Sequence, residues 1–386
     1  MNIKEIDNQY VMATYGRFPV AIVSGKGSLL YDDEGKEYID MGSGIAVNIF
    51  GACDESWAKA VSDQLFRVQH TSNLYYTEPC AKLAKLLCEK TGMKKVFFSN
   101  SGAEANECAI KYARKYSMEK KGSEYFTIVT LVNSFHGRTL TTLSATGQDH
   151  YHELFQPLTP GFKHIAAGDV EGLKKLVAET PVAGILLECI QGEGGVVPLD
   201  KDFVTAVAQL CREEDIPLMI DEVQTGNGRT GTLYAYMQYG ICPDIVSTAK
   251  GLGGGLPIGA TLLGEKVQNV LQPGDHGSTY GGNPVACSGA LCVLERLNEA
   301  FLAEVSAKSA WVFDALKGAA GIEGVTGLGL MIGIKTVKPA KEVVNACMEK
   351  GVLCLTAKDK VRLLPALNIP MEQLQQAISV IKEVCK

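Results

Sequence analysis

Short apolar runs that stop abruptly at a charged or polar residue dominate the middle of the chain. Ile216-Pro-Leu-Met-Ile-Asp-Glu-Val-Gln224 is one, bounded by Pro217 and ending in Asp221 and Glu222. Asp244-Ile-Val-Ser-Thr-Ala-Lys250 is another, ending in a lysine and followed at once by a glycine-rich stretch, 251–259. Such runs predict buried parallel strands, because a strand covered on both faces shows no polar alternation. Residues 95–100, 125–131 and 182–188 read the same way. Between them apolar residues recur at helical spacing over 57–68, 79–90 and 105–116, and Ser101-Gly-Ala-Glu104 has the spacing of a capping box. Strands alternating with helices predict an α/β domain with a mostly parallel sheet.

The pattern differs at both ends. Ser28-Leu-Leu-Tyr31 and Glu37-Tyr-Ile-Asp40, set among glycine turns, predict a strand-rich arm over 1–50. From 285 onward the reading is helix over 285–303, strand over 327–335, helix to 350, strands over 352–356 and 361–365, and a last helix to 386. This is a smaller α+β unit, so the large domain spans 51–284 and the small one 285–386.

Composition narrows the function. With 386 residues, 46% apolar and 21% charged, the chain can bury a deep site. A net charge of −6 and the lack of any basic run speak against nucleic acid. No window reaches a membrane span and no signal-like segment opens the chain, so a cytoplasmic protein is expected. The 12 cysteines are scattered with no C-x-x-C, which predicts reduced, small hydrophobes, and the histidines show no metal-ligand spacing. His150 and His152 lie in a polar stretch and read as solvated.

The candidate chemistry lies where the strands end, since open α/β sheets hold ligands at that edge. Lys250, behind an apolar strand, loses water, which disfavours its charged form and leaves a nucleophilic amine. Asp221 on a neighbouring strand is the partner that a pyridinium nitrogen requires. Taken singly, Lys250 also reads as a surface lysine and Asp221 as a helix cap. The helix after Ser101 offers its N-terminal N–H groups to an anion or is simply well capped. Asn133-Ser-Phe-His-Gly-Arg138 sets an aromatic ring, an imidazole and a guanidinium on one loop, or is a turn held by Gly137. Glu188 is another acid at a strand end. Gly226-Asn-Gly-Arg-Thr-Gly231 matches G-x-G-x-x-G but is separated from its strand, which excludes a dinucleotide loop.

Ser99-Asn-Ser-Gly-Ala-Glu-Ala-Asn106, Ser134-Phe-His-Gly-Arg138, Leu187-Glu-Cys-Ile-Gln-Gly-Glu-Gly-Gly195, Asp221-Glu-Val-Gln-Thr-Gly226, Thr248-Ala-Lys-Gly251 and Gly277-Ser-Thr-Tyr280, in this order, resemble the class III pyridoxal phosphate (PLP)-dependent aminotransferases. Tyr15-Gly-Arg-Phe-Pro19, Ser43-Gly-Ile-Ala-Val47, His70-Thr-Ser-Asn-Leu74 and Val361-Arg-Leu-Leu-Pro365 most resemble the acetylornithine aminotransferase branch of arginine biosynthesis. The resemblance implies PLP-dependent transferase fold type I, a homodimer with shared sites, and an N-terminal arm that joins the small domain. It further implies that Lys250 bonds covalently to PLP, Asp221 faces the pyridine nitrogen, Gln224 the phenolic oxygen, and Phe135 covers the ring. Gly102 and Ala103 would hold the phosphate, Thr279 would reach the neighbouring subunit's phosphate, and Glu222 and Val223 belong to the same cofactor segment. Arg138 and Ser278 would contact the acylated substrate. Arg362 would bind the α-carboxylate of glutamate or 2-oxoglutarate, with Glu193 as its switchable partner. The implied reaction moves the terminal amine of N2-acetyl-L-ornithine to 2-oxoglutarate, giving N-acetyl-L-glutamate 5-semialdehyde and glutamate. Ornithine, succinylornithine, succinyldiaminopimelate and 4-aminobutyrate are the alternative amines. Two departures from the pattern are Gly51-Ala-Cys-Asp-Glu55, where relatives carry histidines and a proline, and Asn227, where methionine is common.

Overall fold

A computed structural model describes residues 2–386. Its central element is a seven-stranded sheet in the order Lys95–Ser99, Gly259–Leu263, Ile245–Thr248, Leu218–Asp221, Val182–Leu187, Thr127–Leu131 and Phe162–Ile165. Gly259–Leu263 runs antiparallel to both of its neighbours and the remaining pairs are parallel. The expected α/β architecture is therefore present, with that strand as the antiparallel exception.

The apolar runs are continuous because both faces of the sheet are covered. Met219, Ile245 and Leu186 pack with Ala109, Ala113 and Tyr116 of the helix Gly102–Lys121, while Ile220, Val246 and Leu187 belong to the larger core on the other face. Gly184 permits the close approach of helix to sheet: a Cβ there would lie 2.7 Å from Met219 Cε and 2.9 Å from Ala113 Cβ. In the strand register Asp221 stands beside Ser247, so the ends of two adjacent parallel strands deliver the carboxylate and, three residues beyond Ser247, Lys250.

A four-stranded sheet joins Ile22–Lys26, Leu29–Asp32 and Glu37–Asp40 to Val352–Leu353 from the far end of the sequence, Ile39 lying opposite Val352. Another contains Ile322–Leu328, Met331–Thr336, Lys360–Leu363 and Leu355–Ala357. Two readings from periodicity are corrected here. The single strand expected over 327–335 is a hairpin that turns at Gly329 (φ +58°), where a Cβ would strike Arg229 O at 2.4 Å. The helix expected over 285–303 is two, Pro284–Arg296 and Glu299–Leu316. Leu297 leaves helical geometry, and the Asn298 side chain accepts from Phe301 N at 3.0 Å to start the second helix.

The departure at 51–55 has a structural role. Asp54 caps the helix Glu55–Leu65 by accepting from Trp57 N, and pairs with both terminal nitrogens of Arg296 at 2.6 and 2.9 Å. Burial raises the Asp54 pKa, but Arg296 outweighs it and the carboxyl lies below its ordinary value. Trp57 Nε1 donates to Gly253 O at 3.0 Å, tying this helix to the glycine run behind Lys250. Asp54→Ala is expected to cost about 1–2 kcal/mol through the lost cap and pair, and Asp54→Asn less, because the amide oxygen still caps. Thermal unfolding should rank the variants in that order below wild type, and three coincident melting curves would contradict this role.

Candidate active site

Asp221 is the last residue of its strand and is almost fully buried. Its Oδ2 accepts from Asn106 Nδ2 at 2.7 Å and lies 2.8 Å from His136 Nδ1, while Oδ1 accepts from Val223 N at 3.0 Å. Asn106 is itself fixed, since Nδ2 also donates to His136 O at 2.8 Å and Oδ1 accepts from Ser247 Oγ at 2.5 Å. A buried charge without such donors is costly, so this network is what lets a carboxylate sit in the core with a single orientation.

Lys250 opens a single 3₁₀ turn with φ 43°, a left-handed conformation that costs a non-glycine residue roughly 1–2 kcal/mol. Asn227 holds the preceding backbone: its Nδ2 donates to Thr248 Oγ1 at 3.0 Å and Ala249 O at 3.2 Å. Asn227 is also left-handed (φ 57°), a region that asparagine tolerates better than methionine does, which gives the second departure a physical reason. Burial lowers the Lys250 pKa and only partly yields to Glu193, so the neutral amine is more accessible than in an ordinary lysine.

The two groups face a cavity of about 430 Å³, the size of a small-molecule site. Gly102, Ala103, Phe135, Arg138, Glu193, Val223 and Gln224 line it with them, as do Asn106, His136 and Glu188. The first-turn N–H groups of the helix Gly102–Lys121 lack intrahelical acceptors, and a Cβ at Gly102 would meet Val223 at 2.6 Å, so only glycine lets this turn pack against the Asp221 loop. Glu188 Oε2 accepts from Phe135 N at 3.0 Å, holding the aromatic residue from behind. Burial, reinforced by Asp221, raises the Glu188 pKa well above the usual carboxyl range. Glu193 behaves oppositely. Burial would raise it, but Arg362 Nη1 at 2.5 Å outweighs burial and keeps it ionised. Gln224 completes this group, accepting from Arg362 Nη1 at 3.3 Å and donating to Glu193 at 3.4 Å. Arg362 Nε and His136 Nε2 are buried with no hydrogen-bond partner among the described residues. A helix N-terminus, a buried carboxylate, an aromatic wall and an unstable ammonium form the set that fits a phosphorylated pyridine aldehyde.

Not every expected residue reaches the cavity. Glu222 points away from it: its carboxyl accepts from Thr225 Oγ1 at 2.5 Å and Tyr236 N at 2.8 Å, so its place in the cofactor segment is structural. Ser278 lines a different cavity, and Thr279, expected to reach the neighbouring subunit's phosphate and not this cavity, is exposed. Arg362 is joined to the site through Glu193 and Gln224. His152, expected to be solvated, is partly buried with Nε2 2.8 Å from Leu143 O, and Cys53, one of the cysteines expected to be small hydrophobes, is exposed with φ 53°. Asn106 and Ser247 were not legible as site residues, because a polar residue inside a helix or strand gives no local sign of what it faces. Among the described residues no cluster could hold a metal ion, all 12 cysteines are free, and no helix is long and apolar enough to cross a membrane.

A family model described as Aminotransferase class-III matches residues 10–385. An acetylornithine aminotransferase of Haemophilus ducreyi is 50% identical over 99% of this chain and 98% of its own. Among solved structures, an ornithine aminotransferase of Toxoplasma gondii superposes with a TM-score of 0.94 at 32% identity, covering 99% of this chain and 93% of that one. An N-acetylornithine aminotransferase of Stenotrophomonas maltophilia gives 0.84 at 34%, covering 98% and 97%.

Two substitutions test the site. Asp221→Asn keeps the shape but removes the charge. The cofactor should still bind, and kcat should fall by several powers of ten, as for comparable charge removals; a loss under about tenfold would refute the role. Glu222→Gln tests the buried acid that points away. Burial raises its pKa from 4.5 to about 7, so between those values the folded chain keeps a proton that the unfolded chain has lost. Its stabilisation is complete below the lower value and is lost as pH rises through the upper one. Between about pH 5 and pH 8 the wild-type melting temperature should therefore fall relative to that of Glu222→Gln, and parallel curves would contradict the shift.

Proposed function

The chain belongs to the class III aminotransferases, and within that family we propose that it transfers the terminal amine of N2-acetyl-L-ornithine to 2-oxoglutarate. The products are N-acetyl-L-glutamate 5-semialdehyde and glutamate, a step of arginine biosynthesis. The chain is a PLP-dependent transaminase. When bound, PLP supplies an electron sink for the substrate's amine-bearing carbon. Asp221, oriented by Asn106 and His136, would hold the proton on the pyridine nitrogen, and Gln224 would donate to the phenolic oxygen. Gly102 and Ala103 would hold the phosphate and Phe135 the ring face. Lys250 Nζ, biased toward its neutral form by burial, would take the proton from the substrate's amine-bearing carbon.

The observation that carries the donor assignment is how the cavity's acids are employed. Its three lining carboxyl groups are Asp221, held by Asn106 and His136, Glu188, which accepts from the backbone N–H groups of Phe135 and Gly192, and Glu193, paired with Arg362. None is free for the α-ammonium of unmodified ornithine, whereas an acylated amine needs no counter-charge. Arg138 on the cavity wall suits the carboxylate of the acylated donor, with Ser278 nearby through Asn100 Nδ2 (3.2 Å). Arg362 then serves the α-carboxylate of 2-oxoglutarate once Glu193 swings out of its 2.5 Å contact with Nη1. The likeness to an ornithine aminotransferase keeps the free diamine as the rival donor.

We further propose a cytoplasmic homodimer. Tyr75, Tyr76 and Tyr280 are strongly exposed around a 520 Å³ cavity that Ser278 lines, an apolar face of the kind that partners cover. Thr279 would reach the cofactor phosphate of the neighbouring subunit from that face. The reduced cysteines support the location. With 2-oxoglutarate fixed, acetylornithine should show the highest kcat/KM in a series with ornithine, succinylornithine, succinyldiaminopimelate and 4-aminobutyrate. If ornithine or 4-aminobutyrate equals it, the donor assignment fails.

A further inference from the structure

Arg138 is an exposed cation on the cavity wall that pairs with no carboxylate among the described residues. What holds its guanidinium is aromatic. The group lies 4.2 Å from the centroid of the Tyr151 ring and 5.6 Å from that of Phe135, and the two rings meet edge to face at 6.0 Å and 71°. Such contacts attract a cation without neutralising it. A guanidinium stacked on a ring keeps its fork of N–H donors free for an incoming carboxylate, which a paired guanidinium does not.

The backbone fixes this arrangement. The segment carrying Arg138 and the returning segment that ends in Tyr151 are joined by several hydrogen bonds. Asn133 N donates to Gly147 O at 2.7 Å, Gly147 N to Ser134 Oγ at 3.0 Å, Gln148 Nε2 to Ser134 O at 3.0 Å, and His136 N to Thr146 Oγ1 at 2.9 Å. Gly147 allows the approach, since a Cβ there would lie 2.1 Å from Leu131 O. Tyr151 ends a short 3₁₀ turn over Asp149–Tyr151, and His150 packs against its ring at 3.9 Å. Tyr151 is thus a partly buried platform delivered by one loop to a cation delivered by another.

We propose that Tyr151 is a positioning residue for amine donors that carry a carboxylate: its ring aims the Arg138 guanidinium into the cavity and so sets how well such donors bind. This rests on the reading that Arg138 grips the donor carboxylate. The ring face supplies the effect and the phenol hydroxyl does not, so Tyr151→Phe keeps it and Tyr151→Leu removes it.

The test uses the PLP-loaded enzyme, N2-acetyl-L-ornithine as varied donor, and a double-mutant cycle with Arg138→Ala. Tyr151→Leu should raise KM roughly three- to tenfold, with kcat within about twofold of wild type, and Tyr151→Phe should leave KM within about twofold. In the Arg138→Ala background, Tyr151→Leu should change KM no further. If Arg138→Ala raises KM while Tyr151→Leu does not, or if the Tyr151→Leu effect persists undiminished without Arg138, the proposal is overturned and the carboxylate reading of Arg138 stands. If Arg138→Ala itself leaves KM unchanged, that reading fails and takes this proposal with it. Should Tyr151→Leu not accumulate as folded protein, Tyr151→Gln, which also lacks a ring face, carries the same test.

Discussion

A carboxylate held in the core is the constraint on which the other features depend. Asp221 sits where two parallel strands end, and its burial is tolerable only because Asn106, His136 and the Val223 amide all point at it. Those donors come from the helix Gly102–Lys121, from the loop after Thr127–Leu131, and from the turn that follows Asp221 itself. Ser247 on the adjacent strand orients Asn106, so four segments converge on one side chain. Convergence of this kind requires the close helix packing that Gly184 and Gly102 permit, and it presents a negative charge of fixed direction to the cavity.

Around that fixed point the site separates charge states by environment. Burial beside Asp221 pushes the Glu188 pKa up, Glu193 is held ionised by Arg362, and the Lys250 amine is biased toward neutrality. Strain accompanies the lysine, whose left-handed backbone is held by Asn227 from below. Two arginines are handled in opposite ways. Arg362 is buried and paired with Glu193, whereas Arg138 is exposed and rests on rings.

Much of this was legible in the sequence, for identifiable reasons. Asp221 and Lys250 ended apolar runs, and parallel strands in a covered sheet announce themselves that way. The capping residue Ser101 stood at the predicted offset from Glu104, and its side chain accepts from Glu104 N. Periodicity failed where a single residue redirects the chain: Asn298 restarts a helix and Gly329 turns a strand back on itself. It failed too for polar residues such as Asn106, Ser247 and Tyr151, whose partners lie far along the chain or across a returning loop. Glu222 shows the converse, since its neighbour faces the cavity while it turns into the core to hold Tyr236 N and Thr225.

We propose that Lys250 is the residue bonded to PLP opposite Asp221. The direct measurement is peptide mass spectrometry after borohydride reduction of the PLP-loaded protein, which fixes the carbon–nitrogen link at whichever lysine carries it. The account predicts a visible absorption band at about 400–430 nm before reduction, and the added cofactor mass on the peptide containing Lys250 alone. Label on a different lysine, or no label at all on protein that retains the band, would contradict it.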